Sequence, residues 1–242
     1  MAVLKARNKG YSFKGASMLV RNYELIPGSQ NFAVASEQGF LTNDGLLTKA
    51  WDGMDFIDSH TDWSKQRLVD TKLKRTSGFK VTDEFGKQTE QGYKSSIIGI
   101  TLKNNPDRIR GTRGRLILWE EAGKFKDILQ AWQVARPAVE EAGVAFGMQI
   151  AYGTSGEAAD FVGLKEMFYH PEGYNILSFP NIWDQNAENS KCAFFVPSWT
   201  NLSTKDENGN RVYMDEDGNS LKEKSIEFII DQRNKVKEGA SE

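Results

Sequence analysis

Three short stretches carry residue types that can act on phosphate. The sharpest is "LILWEE", Leu116–Glu121, in which four apolar residues run into two carboxylates. A buried parallel strand with this ending presents its acids at the C-terminal edge of the sheet, where open α/β sheets bind ligands. One acid can organise a magnesium ion while the second orients a water for attack on a phosphate. The plainer alternative is an edge strand entering a helix start, where the dipole favours Glu. Near the N-terminus lies "RNKGYS", Arg7–Ser12. A loop between strand and helix offers backbone N–H groups and a positive helix terminus to phosphate oxygens, and Ser12 can supply a metal-ligating hydroxyl. The usual pattern is Gly, four residues, Gly-Lys and Ser or Thr. Here the first Gly is missing and Tyr11 stands where the Lys belongs. The third stretch is "YGTSG", Tyr152–Gly156, whose glycines allow a sharp turn and whose Thr154 and Ser155 can bond a phosphate or a water, or else form an ordinary turn.

These stretches need elements to hold them, and the hydrophobic pattern supplies candidates. Residues 2–5 read as a strand end, and Ser12–Leu25 as a helix with Phe13, Ala16, Met18, Val20 and Leu25 at helical spacing behind a capping Ser. Asn31–Ser36 reads as a buried strand. Gln38 to His60 has helical spacing weakened by Gly45 and Gly53. From Arg67 to Thr101 the pattern is strand-rich, broken by "TSGF", "EFGK" and "EQGY". Arg115–Trp119 is a strand, Lys124–Gly143 a helix bent or divided at Pro137, and Val144–Tyr152 another strand. Alternation of this kind predicts an α/β fold with a mostly parallel sheet flanked by helices. Further on, Asn208-Gly209 and Asp217-Gly218 flank "RVYM", which predicts an exposed β-hairpin, followed by an amphipathic helix with Leu221, Ile226, Ile229 and Ile230 on one stripe.

Composition narrows the possibilities. The 242 residues suffice for one α/β core with a small appendage, and 39% hydrophobic with 26% charged residues is the balance of a globular chain. The net charge of −2 leaves nucleic-acid contact to a local patch. No apolar run of about 18 residues and no signal core are present, so neither a membrane span nor secretion is indicated. The lone Cys192 excludes an internal disulfide and agrees with a reducing compartment.

Other site types have little support. His60 and His170 are the two histidines, no "GxSxG" elbow accompanies them, and "DSHTD" reads as a polar helix end. "DEDGNS" lacks the Glu that a calcium loop requires and reads as a turn. The six Trp residues read mainly as core or core-edge aromatics.

Taken together, "RNKGYS", "RIRGTRGRLILWEEAG" (Arg108–Gly123), "YGTSG" and "MDEDGNS" resemble the ATPase region of tailed-phage terminase large subunits, the DNA-packaging motors. Part of that family is similar in having Gly-Tyr-Ser with the lysine displaced. Glu120 departs from the usual Asp. The resemblance implies a P-loop NTPase fold of the RecA/ASCE type, with residues 1–200 as the ATPase core. Residues 201–242 would be a hairpin and helix leading toward a nuclease domain absent from this chain. It implies ATP and Mg2+ as cofactors, with Arg7, Asn8, Lys9, Gly10, Tyr11, Ser12 and Lys14 binding ATP. Ser12 and Glu120 would hold the metal, Glu121 and Arg7 would be catalytic, and Gly153 and Thr154 would couple hydrolysis to movement. The displaced lysine is expected to be Lys9, with Lys14 and Lys5 as alternatives. Arg108 or Arg110 would be an arginine finger, although surface solubilisation explains either residue as well. Implied partners are double-stranded DNA, the portal protein, the small terminase subunit and further copies in a ring on the capsid, in the host cytoplasm and without a membrane. The loop's strand starts almost at Met1, and no acidic nuclease region follows, so a fragment of a longer protein is expected. The alternative is a non-hydrolysing P-loop remnant that binds DNA or capsid, suggested by Tyr11.

Overall fold

The computed structural model describes residues 1–103, 105–154, 158–184, 190–202 and 204–239. Its strands are β1 (Ala2–Lys5), β2 (Gln30–Ala35), β3 (Arg67–Asp70), β4 (Lys74–Ser77), β5 (Phe79–Thr82), β6 (Gln88–Gln91), β7 (Ser96–Thr101), β8 (Leu116–Glu120), β9 (Glu140–Glu141), β10 (Val144–Ala145), β11 (Met148–Gly153), β12 (Phe179–Pro180), β13 (Lys191–Cys192) and β14 (Phe194–Val196). The α-helices are α1 (Tyr11–Leu25), α2 (Gly39–Thr42), α3 (Leu46–His60), α4 (Ile128–Ala135), α5 (Ala158–Tyr169) and α6 (Lys222–Gly239). The chain divides into a larger unit, Met1–Leu4 with Gly10–Phe194, and a smaller one, Lys5–Lys9 with Phe195–Glu242.

In the larger unit the central sheet runs β1-β11-β8-β2-β7-β4-β3. The strands from β1 to β7 in that order are parallel, and β4 and β3 continue the sheet antiparallel. This is the mostly parallel α/β sheet that the sequence predicts. The central strands are apolar along their length because helices cover both faces: all five residues of β8, including Trp119, are buried. Leu19, Tyr23, Leu46, Leu47, Ala50 and Met54 of α1 and α3 close one part of the core. Trp119 sits between Phe125 and Trp132, at ring distances of 5.7 and 6.0 Å.

Local departures from the sequence reading have identifiable causes. The segment predicted as one helix from Gln38 to His60 is two, because the chain turns at Asn43–Gly45 and a side chain at Gly45 would strike the Phe40 carbonyl. The helix expected over Lys124–Gly143 is shorter. It runs from Ile128 to Ala135, tightens into a 3-10 turn at the Pro137 position, and gives way to the β9–β10 hairpin. Ala142 and Gly143 both have positive φ at that hairpin's turn. The strand expected over Val144–Tyr152 is interrupted at Phe146-Gly147, where Gly147 lies too close to the Gly114 carbonyl for any side chain.

In the smaller unit the Ala6 N–H donates to the Val196 carbonyl at 3.2 Å. The region expected as one hairpin around "RVYM" is two consecutive tight loops, each closed by one antiparallel bridge, Lys205 with Arg211 and Met214 with Ser220. Asp206 and Asp215 cap these loops by accepting backbone N–H bonds from Asn210 and Asn219. On α6, Phe228 packs 4.9 Å from the Tyr213 ring.

A buried amide network fixes α1 to the sheet. Asn31, fully buried on β2, accepts from the Asn22 amide at 3.0 Å and donates to Ser29 Oγ and the Ser96 carbonyl, each at 3.1 Å. Removing one member leaves its partners buried and unpaired, which costs about 1–3 kcal/mol. Asn31→Ala is therefore expected to lower unfolding stability by that amount in a urea titration. A loss below about 0.5 kcal/mol, the range of ordinary surface substitutions, would show that the network is not what fixes α1.

Candidate functional site

The larger unit brings the three candidate stretches to one edge because β11 lies between β1 and β8. The parallel registers set Leu4 opposite Gly153 and Glu120 opposite Tyr152, so the strands end level. Residues following each strand then emerge at the same C-terminal edge, as in open α/β sheets generally.

The first pairing joins α1 to β8. The Ser12 hydroxyl donates to Glu120 Oε1 at 2.6 Å, and Glu120 is 4% exposed. α1 begins after Gly10, which takes a left-handed φ of 70° with open space where a Cβ would be. No side chain caps the helix. The first-turn N–H groups of such a helix end are the ones that bind anions.

The second pairing joins β8 to β11. The Thr154 hydroxyl donates to Glu121 Oε2 at 3.4 Å. Two glycines allow the approach: a Cβ on Gly153 would lie 2.7 Å from the Gly123 nitrogen, and one on Gly123 would strike the Thr154 carbonyl. Glu121 itself has φ 48°, a left-handed conformation that costs a non-glycine residue about 1–2 kcal/mol. Outliers of this kind cluster at functional sites. Ser155 and Gly156, the rest of the "YGTSG" stretch, lie outside the described residues.

Tyr11 packs on Tyr152, with ring centroids 5.8 Å apart, and the Lys14 ammonium lies 4.7 Å from the Tyr11 ring centre. Burial raises the Tyr11 phenol above its ordinary range. Burial also holds the Tyr152 phenol protonated well above its ordinary pKa, and the Glu120 and Glu121 carboxylates push it the same way. Tyr152 closes the floor beneath α1: its hydroxyl occupies the space that a Cβ on Gly15 would need. Sequence reasoning gave no role to Tyr152, Gly15 or Gly123. The one signal for Gly15 is a glycine inside a strong helix pattern, which calls for a packing reason.

Arg7, Asn8 and Lys9 belong to the smaller unit. Arg7 is exposed and Asn8 has φ 58°. The Lys9 ammonium donates to the Ser198 carbonyl at 2.8 Å and also to the Thr200 carbonyl, and burial lowers its pKa. Arg108 donates to the Thr101 carbonyl at 2.7 Å, and Arg110 pairs with Asp107 at 2.7 Å; both side chains are exposed. Among the described residues there is no cluster of three or more His, Cys, Asp or Glu able to hold a metal, and no helix is long and apolar enough to cross a membrane.

No family model matches the sequence, and no curated protein sequence matches it. Solved structures do match the fold. The large terminase ATPase domain of Thermus phage P74-26 aligns with a TM-score of 0.54 at 16% identity, covering 82% of this chain and 75% of that one. A point mutant of the same domain aligns with a TM-score of 0.54 at 15% identity, covering 82% and 76%. The large terminase of bacteriophage HK97 aligns with a TM-score of 0.49 at 13% identity, over 85% of this chain and 36% of its own. The chain thus has the α/β fold seen in the Thermus phage terminase ATPase domain. Function is argued from the site rather than from the fold.

The contact between Gly15 and Tyr152 is testable. An unobstructed Gly→Ala change inside a helix gains up to about 1 kcal/mol, whereas overpacking costs about 1–3 kcal/mol. Gly15→Ala is expected to destabilise the protein in chemical denaturation, and adding Tyr152→Phe should recover part of the loss. Simple additivity of the two changes in a double-mutant cycle would show that the hydroxyl does not fill that space.

Proposed function

We propose that this chain is the ATPase domain of a phage terminase large subunit, which hydrolyses ATP to drive double-stranded DNA into a capsid. The observation that carries the reading is the convergence of Ser12 on Glu120 and of Thr154 on Glu121 at level ends of neighbouring parallel strands. The open left-handed Gly10 and the uncapped start of α1 fit a phosphate group. A hydroxyl beside a carboxylate is the hard-oxygen donor set that suits magnesium, which takes one or two carboxylates and completes its shell with water and substrate phosphates. A three-acid cluster is therefore not needed.

Magnesium, when bound, supplies charge neutralisation on the phosphate oxygens. Ser12 and Glu120 would hold it, Glu120 through a water. The N–H groups at the start of α1 would receive the phosphates, and Lys14 would add positive charge from above the Tyr11 ring. Glu121 would accept a hydrogen bond from the attacking water and hold it in line with the scissile bond. Thr154 would keep the Glu121 carboxylate oriented and pass its movement to β11. The partners on this reading are double-stranded DNA, a portal protein, a small terminase subunit and further copies of the chain, in the host cytoplasm. A second reading, a non-hydrolysing module that binds DNA or capsid, draws on Tyr11 at the lysine position and its packing against Tyr152.

Glu121→Gln keeps the shape of the side chain and removes its charge. It is expected to reduce magnesium-dependent phosphate release by about 100-fold or more while binding a fluorescent ATP analogue as the parent does. Hydrolysis at the parental rate would remove Glu121 from the mechanism. A parent that binds DNA and shows no magnesium-dependent turnover would establish the second reading.

A further inference from the structure

Tyr152 carries a polar atom in a place where packing has no use for one. The residue is 2% exposed, and its hydroxyl makes no hydrogen bond of full geometry with any described residue. It lies under α1, where a Cβ on Gly15 would strike it and would also press on methyl carbons of Leu118 and Leu46. Phenylalanine would fill the same space against these apolar neighbours without burying an oxygen. A buried hydroxyl with no partner costs free energy that packing does not offset. Its explanation has to be sought in the acceptors within its reach.

Glu120 is such an acceptor. Residues paired in register on neighbouring parallel strands point to the same side of the sheet, and Tyr152 is paired with Glu120 across β11 and β8. That side is the one covered by α1. Gly15 lies over the Tyr152 hydroxyl, while Ser12, three residues earlier on the same helix, donates to Glu120 Oε1 at 2.6 Å. The Glu120 carboxylate is close enough to act on the phenolic proton. The last torsion of a Glu side chain is broad and roughly two-fold, so a donor on one oxygen does not by itself set the plane of the carboxylate. A second hydroxyl, arriving from the neighbouring strand rather than from α1, does.

We infer that Tyr152 is a positioning residue: its hydroxyl donates to the Glu120 carboxylate and, together with Ser12, sets the direction that this carboxylate presents to a divalent cation. A phenol suits the task because it is a single O–H donor at the end of a rigid ring, and the ring is itself packed against Tyr11 at a centroid distance of 5.8 Å. Partners that orient a metal-holding group in this way commonly set much of its affinity. The inference rests on the reading of Ser12 and Glu120 as the pair that holds the cation. It adds β11 to α1 and β8 as the elements that act on one carboxylate.

Mn2+ in place of magnesium, followed by electron paramagnetic resonance on the full chain saturated with adenylyl imidodiphosphate, reads the cation affinity without turnover. Tyr152→Phe removes only the hydroxyl. It is expected to weaken Mn2+ binding about tenfold, the low end of what orienting partners contribute, while its urea unfolding midpoint stays at the parental value. In a Glu120→Gln background, where the carboxylate is gone, Tyr152→Phe is expected to change Mn2+ affinity by less than about twofold. Equal Mn2+ affinity in the parent and Tyr152→Phe, the same tenfold loss in the Glu120→Gln background, or a fall in the urea midpoint that accounts for the weaker binding would each overturn the inference and leave the reading of Ser12 and Glu120 standing. A parent that binds no Mn2+ beyond what the free nucleotide holds would overturn that reading and the inference with it.

Discussion

The close approach of backbone between the ends of β8 and β11 is the constraint from which the candidate site follows. Gly153 and Gly123 lack the side chains that would force these segments apart. Their contact brings Thr154 to Glu121, while the adjoining register sets Glu120 beside Tyr152. Because β1 pairs with the other edge of β11, the start of α1 comes to the same edge and Ser12 meets Glu120. Each candidate side chain is thus held by a strand end or a helix start, elements that hold geometry better than free loops do. The left-handed Glu121 marks where the chain gives up local comfort to aim a carboxylate.

Much of this was legible in the sequence. The run "LILW" reads as a strand buried on both faces because only apolar residues survive there, and the two acids after it then have to lie at the strand's end. α1 was legible from its spacing and β2 as a short buried-type strand. Helix ends were less so. Pro137 was visible, but the β9–β10 hairpin that follows it depends on a left-handed turn at Ala142-Gly143 within a segment whose residues also suit a helix. Tertiary packing decided between the two. The break at Gly147 likewise depends on a distant partner, the Gly114 carbonyl, which no local pattern announces.

The site residues that the sequence did not reveal share one property: they matter through what they make room for. The missing Cβ of Gly15 admits the Tyr152 hydroxyl beneath α1. Gly123, by lacking a Cβ, permits the Thr154 approach. Long-range contacts of this kind carry no period and no motif. The positions of Arg7, Asn8 and Lys9 also needed the structure, since the carbonyls of Ser198 and Thr200 that engage Lys9 lie far along the chain.

Tyr11 is the residue through which the departure from the usual phosphate loop can be understood physically. A lysine at that position would place a mobile ammonium at the helix start and leave Tyr152 without an aromatic neighbour there. Tyr11 instead packs against Tyr152 and so ties the start of α1 to the end of β11. The positive charge is not lost from this region, because Lys14 lies over the outer face of the Tyr11 ring, an arrangement that attracts a cation through the ring quadrupole. Packing and positive charge at this helix start thus come from two residues three positions apart, Tyr11 and Lys14. The helix start is thereby fixed by packing within the chain itself, with a cation held over the ring that fixes it.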